Sequence, residues 1–257
     1  MPRAAGLYKA GRLKIEVRTV SDQVYSAVRD RILTGQIRPE TPVRQDALSA
    51  ELGVSKIPLR EALTRLEQDG LVSSLPNRGY VVRPITPDEA DEVFALRVSL
   101  EPEATALGAA RADEQQHRIA KATFDLLEAE SQIAGPRVAV LNREFHMALI
   151  RPCGRLVTIQ LMERLHLLAE RYVRAHLEPQ GRDRRARAEH AGLLKAWVAG
   201  DVTAVRRQVD AHIKGTLADL RSELQTKTAS SATSASGAKK SAKSKKRGSK
   251  PDSPSWC

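Results

Sequence analysis

From residue 86 to about residue 224, apolar side chains recur at the three- and four-residue spacing of helix faces, broken only by short connections. No other feature constrains the fold as much. A chain that keeps this pattern over more than half its length must bury helix against helix. The stretch opens on Thr86-Pro87-Asp88-Glu89. Thr86 suits the N-cap, Pro87 suits the first helical position, and Glu89 completes a capping box. Helices are expected near 87–110, 114–134, 137–151, 155–177, 184–199 and 202–224. Their short connections predict an antiparallel bundle. Composition agrees, since Ala, Leu, Glu and Arg dominate and aromatics are only 4%.

Residues 19–85 follow a different pattern. Val24, Val28, Ile32 and Leu33 mark one helix, ended by Gly35. Pro39 and Pro42 mark an irregular connection. Leu48 and Leu52 begin a short helix that stops at Gly53. Ser55 can N-cap the next helix, with Pro58 in its first turn and Leu59, Leu63 and Leu66 on its apolar face. Gly70 ends it. Leu71-Val72 and Tyr80-Val81-Val82 are strand candidates on either side of the turn Pro76-Asn77-Arg78-Gly79.

Two helices joined by a glycine-containing turn make a helix-turn-helix, whose second helix enters the DNA major groove N-terminus first. That end carries Ser55, Lys56 and Arg60. Ser55 is placed to cap the helix and touch a phosphate. Lys56 and Arg60 are donors suited to guanine O6 and N7. Arg78, at the hairpin tip, is placed to reach an adjacent groove or the backbone. The same residues also suit ordinary surface cations on a small helical domain, and spacing alone leaves both readings open.

The formal net charge of +11 is uneven. Between Thr226 and Cys257, eight basic residues against one acidic carry +7, leaving +4 for the rest. This Lys-, Ser- and Ala-rich segment has almost no large apolar residue and cannot bury a core, so residues 226–257 are expected to be a disordered basic tail. Such a tail either contacts DNA phosphates without sequence preference or is a solvated linker. Residues 1–18 carry five basic residues and no periodicity, and are read as a flexible arm. Cys153 and Cys257 lack a CxxC spacing, so no disulfide framework is expected. The basic N-terminus lacks an apolar run behind it, and no stretch approaches the roughly 20 apolar residues that span a bilayer. A cytoplasmic protein at the nucleoid, with no membrane partner, is expected.

Of six histidines, His146 lies four residues after Asn142, so both share one helix face. His190 falls early in a later helix and His212 midway along the last. Three neutral imidazoles converging in a bundle would suit Zn²⁺, Ni²⁺ or a similar ion. Spacing alone equally allows three separate half-buried residues. His117, His166 and His176 show no partner in sequence and are assigned surface or structural roles.

The segment from Val24 to Thr86 resembles the DNA-binding domain of the GntR family, through GQIRPETPV, LSAELGVSKIPLREALTRLEQDGLV and PNRGYVV. The resemblance implies a winged helix-turn-helix that binds a palindromic operator as a homodimer. By position, Ser55, Lys56, Arg60 and Gly79 match the family's DNA contacts, with Arg78 beside them. Lys56 replaces the usual Arg, Ile57 replaces a frequent Thr, and Asp46 stands where some members carry a DNA-contacting Arg; Arg44 lies near enough to substitute.

Residues 90–222 resemble the FCD ligand-binding domain of the FadR-like subfamily, through FALRVSLEPEATALGAA, LNREFHMALI, AEHAGLLKAWVAGD and VDAHI. The resemblance implies an all-α bundle holding a divalent metal through an Asp or Asn and three His, here Asn142, His146, His190 and His212. Asn142 is a neutral ligand where Asp is common. The resemblance also implies a small carboxylate effector, with Arg97 as its partner. Arg97 could instead form an ion pair with Glu101 on an exposed helix face; Arg143 and Arg171 are further candidates.

The expected fold is mainly α, a winged helix-turn-helix followed by an FCD-like bundle and a basic tail. The expected function is a ligand-responsive, DNA-binding transcription regulator and not an enzyme. Three rivals remain: a tail-driven nucleoid-associated protein, a metal sensor, and a metal-dependent hydrolase using the three-His centre. The hydrolase needs a general base beside the metal. Glu144, the acidic residue of NREFH, is out of phase with the ligand positions.

Overall fold

The structure, a computed structural model, describes residues 18–76, 78–133, 135, 137–176 and 182–245, the backbone alone at 173–176, 182–183 and 224–245. The arm, apart from Arg18, and residues 246–257 of the tail lie outside the described residues. The chain divides into two compact units, Met1–Arg83 and Pro84–Cys257.

In the first unit, α1 (Val20–Leu33) starts at a capping box between Thr19 and Asp22. Its buried residues Val24, Val28, Ile32 and Leu33 face α3 (Lys56–Gln68), which buries Leu59, Ala62, Leu63 and Leu66 completely. Burying each large side chain contributes about 1.5–3 kcal/mol. Between them lies α2 (Gln45–Leu52), ended by Gly53 at φ 65°, a left-handed turn that glycine adopts without strain. Ser55 occupies the N-cap of α3, but its hydroxyl makes no cap hydrogen bond, contrary to expectation. The wing is β2 (Val72–Leu75) paired antiparallel with β3 (Gly79–Val82), Ser73 opposite Val81.

A third strand, β1 (Pro42–Val43), pairs with the other side of β3, giving the order β1-β3-β2. The sequence reads this segment as an irregular connection. Two residues show no alternation, and Pro42 reads as a breaker although an edge strand tolerates it.

In the second unit the helices are α4 (Pro87–Arg111), α5 (Glu114–Gln132), α6 (Val138–Ile150), α7 (Leu156–His176), α8 (Arg182–Val198) and α9 (Val202–Lys245), with a 3₁₀ turn at Arg151–Cys153. Through 198 the ends fall within two residues of those expected. The last helix instead continues to Lys245, well into the segment read as tail. Ala and Lys are strong helix formers, so a backbone helix can extend where no core holds it.

Helix α4 packs against α6, α7 and α9, α5 against α6 and α8, and α8 against α9. Phe94, Phe145, Met162, Tyr172 and Trp197 are fully buried among them. α4 and α6 approach very closely at Gly108, where an added Cβ would stand 2.1 Å from the Leu149 carbonyl oxygen. The Trp197 indole donates to that same oxygen at 3.1 Å. At the start of α4, the Thr86 hydroxyl accepts from the Glu89 backbone N–H at 3.2 Å. The Glu89 carboxylate, expected to reach back and complete the box, accepts instead from the Tyr172 hydroxyl at 2.5 Å. Among the described residues, no helix is long and apolar enough to cross a membrane.

Candidate functional sites

In the first unit, the N-terminal end of α3 is exposed. With Leu59, Ala62, Leu63 and Leu66 turned to the core, α3 leaves Ser55, Lys56, Ile57, Arg60, Glu61 and Thr64 exposed. The Lys56 ammonium lies 2.6 Å from the Asp46 carboxylate, which lowers the Asp46 pKa below the ordinary carboxylate value. Both ends of this pair are exposed, so an incoming phosphate competes with Asp46 in high dielectric. Arg60 and Arg44 are exposed, Arg44 at the N-cap of α2. Arg78 sits exposed at the hairpin turn, its N–H donating to the Leu75 carbonyl. Gly79 adopts φ 80°, and a Cβ there would press on the Gln45 side chain at 3.1 Å. Glycine is required at this point of the wing for both reasons.

In the second unit, His146 (α6), His190 (α8) and His212 (α9) come together. One nitrogen of each lies within 4.8 Å of the others. Ring centroids are 5.2 Å apart for His146–His190 and His146–His212, and 4.7 Å for His190–His212. The Nε2 atoms of His190 and His212 are 3.4 Å apart. His146 and His190 are buried, at 2% and 5% exposure. Burial pushes the His146 pKa down to about 3, and burial followed by the neighbouring imidazoles pushes His190 well below its ordinary value. Both rings are therefore neutral near pH 7, as metal coordination requires.

Two carboxylates back this centre. Glu101 of α4 lies 3.0 Å from His146 Nδ1, and Glu189 lies 2.6 Å from His212 Nδ1. A carboxylate on Nδ1 fixes that proton and leaves Nε2 as the ligand nitrogen. The Nε2 of His146 is buried without a hydrogen-bond partner. A buried, unpartnered ring nitrogen beside two more imidazoles fits a borderline divalent ion.

Beside the centre lies a cavity of about 50 Å³ whose lining includes Arg97, Asn142, Arg187, His190, His212 and Thr216. Asn142 thus reaches the same locality as the histidines. Arg97 lines the cavity and also donates to Glu101 at 2.8 Å, the ion pair the sequence offered as its alternative role, although the pair is buried rather than exposed. Burial would raise the Glu101 pKa, but the Arg97 charge and the two histidines more than offset it and hold it well below the usual range. Arg143 and Arg171 serve the scaffold: Arg143 pairs with Glu170 and Glu144, while Arg171 donates to the Pro84 carbonyl and lies 3.7 Å from Glu89.

His166, read as surface or structural with no partner visible in sequence, has a partner in the structure and is not at the surface. It is 2% exposed, with Nε2 3.2 Å from Glu101 and a pKa lowered by burial. With Glu101 and His146 it forms a second cluster of ligand-type atoms. Glu101 is already committed to Arg97, whose charge opposes a cation there. His117 packs edge-on to Trp197, a structural contact, and the His176 side chain lies outside the described residues.

Arg187, Glu189 and His166 are the residues that sequence reading missed. Arg187 precedes His190 by three positions, a same-face spacing that could have flagged it. Glu189 and His166 act across helices, and no local spacing announces that.

Residues 20–82 match the bacterial regulatory proteins of the gntR family, and residues 92–215 match the FCD domain. The chain is 30% identical over 132 residues to the HTH-type transcriptional regulator YdhC of Bacillus subtilis, covering 50% of this chain and 58% of that protein. It is 26% identical over 212 residues to BphR of Paraburkholderia xenovorans, another HTH-type transcriptional regulator, covering 80% and 86%. It is 28% identical over 153 residues to the HTH-type transcriptional repressor GlaR of Escherichia coli, covering 58% and 70%. Among solved structures, Escherichia coli McbR/YncC aligns over 81% of this chain and all of that one, with TM-score 0.72 and 21% identity. At that identity the likeness shows the fold.

Proposed function

Since the chain belongs to the GntR family of bacterial regulatory proteins and carries an FCD domain behind its winged helix, we propose that it is a ligand-responsive transcription regulator, not an enzyme, which binds a palindromic operator as a homodimer at the nucleoid. Ser55, Lys56, Arg60, Arg78 and Gly79, with Arg44 nearby, form its DNA-contacting set. The exposed N-terminal turn of α3 above a fully buried apolar face supports this.

The sensing half rests on one observation: three helices bring three imidazoles to one centre beside an arginine-lined cavity. His146, His190 and His212, with Asn142, would hold a divalent ion such as Zn²⁺ or Ni²⁺. When bound, such an ion supplies a Lewis-acidic anchor for an anionic ligand. This chain's own residues do the remainder. Glu101 and Glu189 orient two of the imidazoles, and Arg97 and Arg187, paired with Glu101 and Glu128, line the cavity. A cavity of about 50 Å³ has room for the carboxylate end of a small organic acid. An effector favouring one state of the protein shifts operator affinity by the reciprocal coupling factor, typically about 1–3 kcal/mol.

Among the described residues, the carboxylates around the centre are all engaged, which speaks against a hydrolase base: Glu101 is held by Arg97, Glu189 pairs with His212 and Arg185, and Glu144 pairs with Arg143 and Arg151.

The test is fluorescence anisotropy of the full chain on DNA from its own upstream region against a scrambled duplex, near physiological salt. A preference of roughly a thousandfold is expected of a specific binder. Equal binding to both, with and without added metal and carboxylic acids, would support the tail-driven alternative.

A further inference from the structure

Ile57 stands in the first turn of α3 at 71% exposure, the most exposed large apolar side chain among the described residues of the first unit. A single exposed isoleucine is ordinary on a protein surface. Its position here is not. The buried face of α3 is Leu59, Ala62, Leu63 and Leu66. Ile57, Arg60, Glu61 and Thr64 follow helical spacing along the opposite face, and all four are exposed. Lys56 and Arg60 flank Ile57 within one turn. An apolar group therefore heads a polar stripe, at the end of the helix that a winged helix-turn-helix directs at base edges.

Resting on the DNA-binding reading above, we propose that Ile57 reads the C5-methyl group of a thymine in each operator half-site. The isoleucine side chain has no donor or acceptor, so it cannot bond a phosphate or the polar edge of a base. The thymine methyl is the apolar group that the major groove displays, and contact with it favours A·T over G·C at that step. Lys56 and Arg60 hold the helix end against phosphates or guanines on either side, which fixes which pair faces Ile57.

The experiment separates this assignment from the reading it rests on. The full chain selects its preferred duplex from a random-sequence library. Each thymine of one half-site is then replaced by deoxyuridine, which removes the methyl and nothing else, and Kd is measured for wild type and for Ile57→Ser. One thymine should weaken wild-type binding about fourfold when its methyl is removed, the worth of one buried methyl. In Ile57→Ser, a change at an exposed site that leaves the core intact, that same replacement should have no effect. Wild type indifferent to every thymine methyl overturns the assignment. So does Ile57→Ser retaining the full methyl penalty, since another side chain then reads the base. If no sequence is enriched at all, the DNA-binding reading falls, and the role of Ile57 with it.

Discussion

Three histidines, His146, His166 and His190, are buried, and burial lowers the pKa of each. Unfolded, each takes up a proton near pH 6.5; folded, His146 does so only near 3. Between those values the unfolded state binds more protons, so folding is favoured above the unfolded pKa and progressively less below it. Metal-free protein should lose stability as pH falls below about 6.5, by up to about 1.4 kcal/mol per pH unit for each histidine. Thermal melting of chelator-treated protein over that range checks this, and a flat melting temperature would contradict it. Glu189 is half-buried and meets the centre through His212, its other partner being Arg185 on its own helix. Glu189→Gln should weaken metal binding about 10- to 100-fold while leaving the fold intact, measured by competition with a chelating dye. Glu101→Gln differs in kind. It strips the partner from Arg97, itself 3% exposed, and should destabilise the unit by about 3–5 kcal/mol. On the DNA side, Arg60→Ala should cost about 1–3 kcal/mol on the operator and less on random DNA if Arg60 reads a base. Equal losses would reduce Arg60 to a phosphate contact.

At the scale of elements, the crossing of α4 and α6 depends on a side chain that is missing. Gly108 lets the Leu149 carbonyl approach closely enough to accept from Trp197. Gly108→Ala puts a methyl 2.1 Å from that oxygen. The helices must part, and about 1–3 kcal/mol of stability should go with them, read as a lowered melting temperature. The helix starts were legible because their signals are local. Thr86 before Pro87, and Ser55 before Pro58, mark the starts of α4 and α3. Even so, the partners of the capping groups were decided elsewhere. Glu89 turns to Tyr172, 83 residues along the chain, because α4 packs against α7. Strand β1 exists only because β3 offers it an edge.

At the scale of the whole molecule, positive charge is concentrated in the segment after residue 225. If that tail neutralises DNA phosphates, deleting residues 226–257 should lower the salt slope of binding by about 0.9 for each phosphate it had neutralised and weaken operator and random DNA alike. An unchanged slope would make the tail a linker.

By itself the sequence determined the helical periodicity, the glycine stops, the helix-turn-helix with its wing, and the pairing of Asn142 with His146 on one face. Each of these depends on residues within a few turns of one another, where spacing is geometry. Only the tertiary structure decided that Glu101, sequence neighbour of Arg97 on α4, would be buried between Arg97, His146 and His166. It also decided that Glu189 would serve His212 across two helices. Burial and long-range pairing turn an ordinary ionisable side chain into part of a site. Both are fixed by which helices pack together, a sum over the whole core that no local spacing records.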